Sequence, residues 1–140
     1  MSRAAWSVLL VEGDAPTRQR AAAELRPRFD VWCVDGLERA VEVLSERPFD
    51  VVVTALPLPD GDGLTALVAA ASMWPRSARV LLGRPASADE LAEACAERLV
   101  HQALPRPWAS GALLDAVARL AVRQASPPAT RPAPPPLPPG

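Results

Sequence analysis

The chain has 140 residues, a formal net charge of −1, 49% hydrophobic residues and two cysteines. That length carries one sizeable core, and the near-neutral charge gives no electrostatic basis for binding nucleic acid or an anionic membrane. Every basic side chain is Arg, which together with the Ala and Pro content reads as coding bias and not as function.

The opening MSRAAWSVLLVEGD holds an apolar run too short for a membrane span, and acidic residues follow at once. No signal peptide or membrane segment is expected, and the protein is placed in the cytoplasm. Ser7–Val11 is a short continuous apolar run, the pattern of a parallel strand buried on both faces. Asp14 can cap the next helix, where Pro16 sits in the first turn without losing a hydrogen bond, and Arg26-Pro27 ends it. Phe29–Val34 predicts a second strand. Asp35 offers a cap with Glu38 three residues on, and Leu37, Ala40, Val41 and Leu44 recur at helical spacing.

The third strand is predicted over 50–55. A Pro-containing loop follows, Asp62-Gly63-Leu64 opens a helix, and Leu64, Leu67, Val68 and Ala71 mark it until Pro75. Arg79–Leu82 reads as a fourth strand. Ser87 and Glu90 form a capping box for a helix over 88–98 with Leu91, Cys95 and Leu99 on one side. Val100–Leu104 is the fifth strand. The last helix, Ser110 to Gln124, carries Leu113, Leu114, Val117, Leu120 and Ala121 inward and an Asp115–Arg119 pair outward. Cys33 and Cys95, on a strand and a helix, read as reduced thiols.

Five strands alternating with five helices predict an α/β fold. It is a doubly wound five-stranded parallel sheet, flavodoxin-like order 2-1-3-4-5, with helices on both faces. Ligands of such folds sit at the carboxyl ends of the strands, here the loops after Val11, Ala55, Leu82 and Leu104. Residues 1–125 form this domain. From Ser126 the sequence SPPATRPAPPPLPPG predicts a disordered, Pro-rich tail over 126–140. PPLP at 135–138 resembles ligands of aromatic-groove modules, but a passive tail is the simpler reading. No output domain follows, so a stand-alone module is expected.

Residues 50–64, DVVVTALPLPDGDGL, resemble the third strand and following loop of response-regulator receiver domains, the phosphoacceptor modules of two-component signalling. The resemblance covers 7–123. In that family the third strand ends in the aspartate that takes the phosphoryl group, and the position counted back from Pro59 is Ala55. The acidic pair after the first strand falls on Glu12-Gly13, with Asp14 next to it. The switch hydroxyl falls on Gly83, the Lys-Pro pair on Arg106-Pro107 (a candidate cis peptide by resemblance), and the fifth-strand aromatic on Ala103. Clustered carboxylates there hold Mg²⁺, and the Lys stabilises the phosphorylated state.

With ligand, nucleophile and hydroxyl absent together, phosphotransfer is not expected. Nor are Mg²⁺ binding, a cofactor or enzymatic activity. Asp50, Asp60 and Asp62 are the candidate replacements; they read as a strand start, a solvated turn and a helix cap, because phosphoryl transfer needs in-line positioning and a metal. Glu12 and Arg106 converge on the crevice under the family geometry, either as an ion pair that locks one conformation or as two side chains pointing to water. The leading function is a pseudo-receiver acting by protein–protein contact. Its partners would be a histidine kinase or another regulator, met through the fourth helix, fifth strand and fifth helix.

Glu90, Glu93 and Glu97, with Arg119 and Arg123, read as solvated faces or as a charged docking surface, and Trp108 would sit beside it. Trp6, Trp32 and Trp74 read as core or rim packing, and His101 as a strand residue with a satisfied hydrogen bond. Two alternatives stay open. One is a phosphorelay regulator with a non-standard site. The other is an unrelated enzyme on the same fold, for which no nucleophile–base pair is evident.

Overall fold

The computed structural model describes residues 6–83 and 88–124. In chain order the elements are β1 (Ser7–Val11), α1 (Ala15–Leu25), β2 (Asp30–Val34), α2 (Leu37–Glu46), β3 (Val51–Ala55), β4 (Pro57–Leu58), β5 (Gly61–Asp62), α3 (Gly63–Met73), β6 (Ala78–Leu82), α4 (Ala88–Ala96), β7 (Gln102–Leu104) and α5 (Ala112–Gln124). The main sheet runs β2-β1-β3-β6-β7, all parallel, which is the order expected from sequence once the small β4–β5 hairpin is set aside.

Every residue of β1, β3 and β6 is buried. Helices cover both faces of these strands, so no position faces water and the sequence shows unbroken apolar runs instead of alternation. Val8, Leu10, Val51, Val53, Val80 and Leu82 pack on the α1/α5 side. Leu9, Val11, Val52 and Leu81 pack on the α2, α3 and α4 side. The split follows from side chains pointing alternately to the two faces of a strand, and each fully buried Leu or Val contributes about 2 kcal/mol of transfer free energy.

Local caps explain where α1 and α3 start. Asp14 accepts the amide of Thr17, and Asp62 that of Leu64. The cap of α2 corrects the sequence expectation. Its N-cap residue is Gly36, which has no side chain to offer, and Asp60 from the β4–β5 turn accepts the amides of Leu37 at 2.7 Å and Glu38 at 3.0 Å. A Cβ on Gly36 would lie 2.7 Å from Asp60 Oδ1, so this approach requires glycine.

Three helical expectations shift in phase or length. The buried stripe of α3 is Gly63, Ala66, Leu67 and Ala70, while Val68 is 47% exposed. Apolar residues surround α3, so the pattern left its inner face open. On α4 Ala94 is buried and Cys95 is exposed. The helix stops at Ala96 because the chain then closes a Schellman turn, with Arg98 in the left-handed region at φ 61° and Leu99 N–H donating to Ala94 O at 2.9 Å. Finally, α5 begins at Ala112, two residues later than expected. The capping residue expected at Ser87 and the tail from 126, PPLP included, lie outside the described residues.

Arg79 is buried in β6, a feature its sequence gave no reason to expect. Its guanidinium donates to the carbonyls of Ser77 at 2.8 Å, Arg98 at 2.6 Å and Leu99 at 3.2 Å. The charge therefore sits at the carbonyl-rich end of α4, a favourable place for a cation. Burial lowers its pKa.

Candidate functional site

β1, β3, β6 and β7 deliver their carboxyl ends to one crevice, and the residues found there are Glu12, Ala55, Gly83 and Arg106. Ala55 is fully buried. α3 starts directly against it: Gly63 N–H donates to Leu56 O at 2.6 Å, and a Cβ on Gly63 would fall 1.9 Å from Ala55 O. The neighbouring hydroxyl, Thr54 Oγ1, is buried and donates to Ala55 O at 3.1 Å.

Glu12 is the buried acid of the crevice, its side chain 3% exposed. Oε2 accepts the amide of Asp14 at 3.1 Å. Oε1 has no hydrogen bond and is compensated by the charge of Arg106, whose Nη2 lies 3.2 Å away. Of the two arrangements left open by sequence, the ion pair is the one formed. Arg18 Nη1 donates to Glu12 O at 2.8 Å, closing the same corner. Asp14 is solvent-exposed and serves α1: the Thr17 hydroxyl and amide hold its carboxyl below the usual range, with smaller help from Arg106 and Arg18.

Gly13 is covered by the β3–α3 loop, since a Cβ there would lie 2.6 Å from Pro59 Cδ. Gly83 has φ +117°, a conformation that a β-branched hydroxyl residue adopts only under strain, and its N–H donates to Leu104 O at 2.7 Å. Arg106–Pro107 is a cis peptide.

Mg²⁺ needs about six oxygen ligands in near-octahedral order, some of which can be water. Glu12 is paired with Arg106, Gly13 and Ala55 offer no side-chain oxygen, and Asp14 is bound to Thr17. These residues do not fit the ion. Among the described residues no three His, Cys, Asp or Glu side chains gather as a metal site. The carboxylates considered as replacements have structural duties: Asp60 caps α2, Asp62 caps α3, and Asp50 accepts the amide of Ser7 at 2.8 Å at the opposite ends of β1 and β3.

The expected partner face is split. Glu90 and Glu93 are exposed on α4, and Glu97 is exposed in the turn just after it. Arg119 is exposed on α5, paired with Asp115 at 3.3 Å and 3.5 Å from Gln102 Oε1. Trp108 is elsewhere: it is 8% exposed and packs in the α1/α5 core, its indole donating to Glu24 Oε1 at 3.1 Å and Arg20 lying 5.3 Å from its ring. Glu24 also accepts the amide of Leu114 through Oε2 at 2.8 Å and so caps α5 from α1. Sequence reading passed over Glu24 because its partners are 84 and 90 residues away, with no local signal.

The order β2-β1-β3-β6-β7 with helices on both faces is the CheY-like flavodoxin fold. The chain superposes on a signal receiver domain of an HD domain-containing protein from Pseudomonas fluorescens Pf-5 with a TM-score of 0.77 and 26% identity, covering 89% of this chain and 92% of that one. It is 31% identical over 121 residues to the response regulator protein FleR of Pseudomonas aeruginosa, covering 86% of this chain. It is 33% identical over 105 residues to the sensory/regulatory protein RpfC of Xanthomonas campestris pv. campestris, covering 71% of this chain. These similarities indicate a response-regulator receiver domain and support a place in two-component signalling. The chain spans 25% of FleR and 14% of RpfC. No family model matches it. Among the described residues no helix is long and apolar enough to cross a membrane.

Proposed function

We propose that the chain is a pseudo-receiver: a non-enzymatic interaction module of two-component or phosphorelay signalling that works without phosphorylation. The observation that carries this reading is Ala55, a buried methyl group at the end of β3 with α3 packed directly on its carbonyl. Phosphoryl transfer to a carboxylate needs the nucleophile, an in-line approach and a metal that screens the phosphoryl oxygens. Here the nucleophile is missing, and the metal's carboxylate is neutralised by Arg106.

The non-standard-site alternative has no support from Asp50, Asp60 or Asp62, each of which accepts backbone amides. A histidine kinase or another regulator is the partner this reading implies, met on the exposed surface of α4, β7 and α5, in the cytoplasm. Incubation with labelled acetyl phosphate and Mg²⁺ tests it. No acid-labile label is expected, and stoichiometric incorporation would return the chain to the phosphorelay regulators.

A further inference from the structure

We propose that Arg106 is the resident cation of the crevice: its bond to Glu12 fixes the β7–α5 loop and with it the start of α5, holding the domain in one state. A carboxylate as deeply buried as Glu12 is stable only beside a compensating charge, and its Oε1 has no hydrogen bond to serve instead. Arg106 reaches it from the far side of the crevice. Its Cδ would lie 3.7 Å from a Cβ at Gly83, so its stem runs beside a position that bears no side chain. Ala55, between them, brings no second carboxylate to compete for the guanidinium.

The loop that carries Arg106 is gripped again two residues on. Glu24 holds the Trp108 indole and the Leu114 amide, and Arg20 lies against the Trp108 ring. One segment, 106–114, is thus tied to β1 by Arg106 and to α1 by Trp108 and Leu114. The first tie is an ion pair made entirely of the protein's own side chains.

The inference deepens the pseudo-receiver reading and rests on it for its meaning in signalling. Amide hydrogen exchange on the full chain tests both separately. Arg106→Met keeps the length of the stem and removes its charge, and is expected to speed exchange across 108–114 by about tenfold while β1 and β3 stay protected. Glu12→Gln is expected to do the same, and the double variant to exchange no faster than either single one, the signature of a shared interaction. Arg106→Lys is expected to retain most of the protection. If Glu12→Gln unfolds the chain, the contrast between Met and Lys at the half-exposed position 106 still decides. Unchanged exchange at 108–114 in Arg106→Met overturns the inference and leaves the function reading intact. A change in wild-type exchange on adding beryllofluoride with Mg²⁺ overturns the function reading and leaves the ion pair's role to the variants.

Discussion

Pro59 lies over Gly13 so closely that a Cβ on the glycine would come within 2.6 Å of the proline Cδ. The place where the receiver resemblance puts a metal-binding acid is therefore covered by the protein's own loop. Restoring the nucleophile alone is not expected to restore the site. Ala55→Asp is expected to take no label from acetyl phosphate and Mg²⁺, and to lose about 2 kcal/mol because it buries a polar group in a packed position. Urea unfolding and a labelling assay on the same preparation check both halves. Label on Ala55→Asp would show that the metal can still enter.

The covering loop is held by Asp60, whose carboxylate takes two amides at the start of α2. Those bonds lower its pKa from the ordinary 3.8. A depressed carboxylate contributes stability above its unfolded pKa and loses it as pH falls through the lower folded value. Asp60→Asn keeps an oxygen acceptor and removes the titration. The wild type is expected to lose more stability than this variant as pH falls below about 4. Matching acid profiles would mean that the cap is not formed in solution. Asp60→Ala is expected to lower the Tm and to speed exchange of the Leu37 and Glu38 amides first.

Gly63 and Gly111 separate two reasons for glycine. At Gly63 an added Cβ meets the carbonyl of Ala55 at 1.9 Å, and backbone must move. At Gly111 nothing lies within 4 Å and the constraint is φ +85° alone. Gly111→Ala is expected to cost about 1 kcal/mol, the conformational penalty of the left-handed region. Gly63→Ala is expected to cost more than about 3 kcal/mol, as overpacking against backbone does. Thermal unfolding of the two variants side by side gives the order, and equal losses would contradict the packing at the end of β3.

Features set by neighbours in sequence were legible in advance. The apolar runs of β1, β3 and β6 announced strands buried on both faces, and Asp14 and Asp62 announced helix starts because a cap needs only two or three residues. Features set by distant pairs were not. Asp60 caps a helix 23 residues upstream, Glu24 caps one 90 residues downstream, and Arg79 reaches carbonyls 19 and 20 residues on. Asp60 read as a solvated turn and Arg79 as the start of a strand, and Glu24 carried no signal in its own window. α3 shows a second limit: apolar on nearly every side, it gave no phase, and Val68 proved to face water. The convergence of Glu12 and Arg106 was visible only through the family resemblance, since nothing in either local sequence points to the other.

His101 ties β7's approach to β6. Its Nδ1 accepts the amide of Arg79 at 2.9 Å, while its own amide donates to Arg79 O at 2.8 Å. A ring nitrogen that accepts a hydrogen bond is unprotonated, so the folded state holds the neutral imidazole. Burial lowers the pKa from 6.5, and the charges of Arg79 and Arg98 lower it further. Between that lowered value and 6.5 the unfolded chain binds more protons than the folded one, so stability rises with pH there. His101 should therefore leave stability untouched above about pH 7 and erode it as pH falls through 6. His101→Asn offers an oxygen near the Nδ1 position without the titration. Urea unfolding at about pH 7.5 and pH 5.5 should show a larger acid loss for the wild type than for His101→Asn. Parallel losses in the two proteins would place the proton elsewhere and contradict the Arg79–His101 bond.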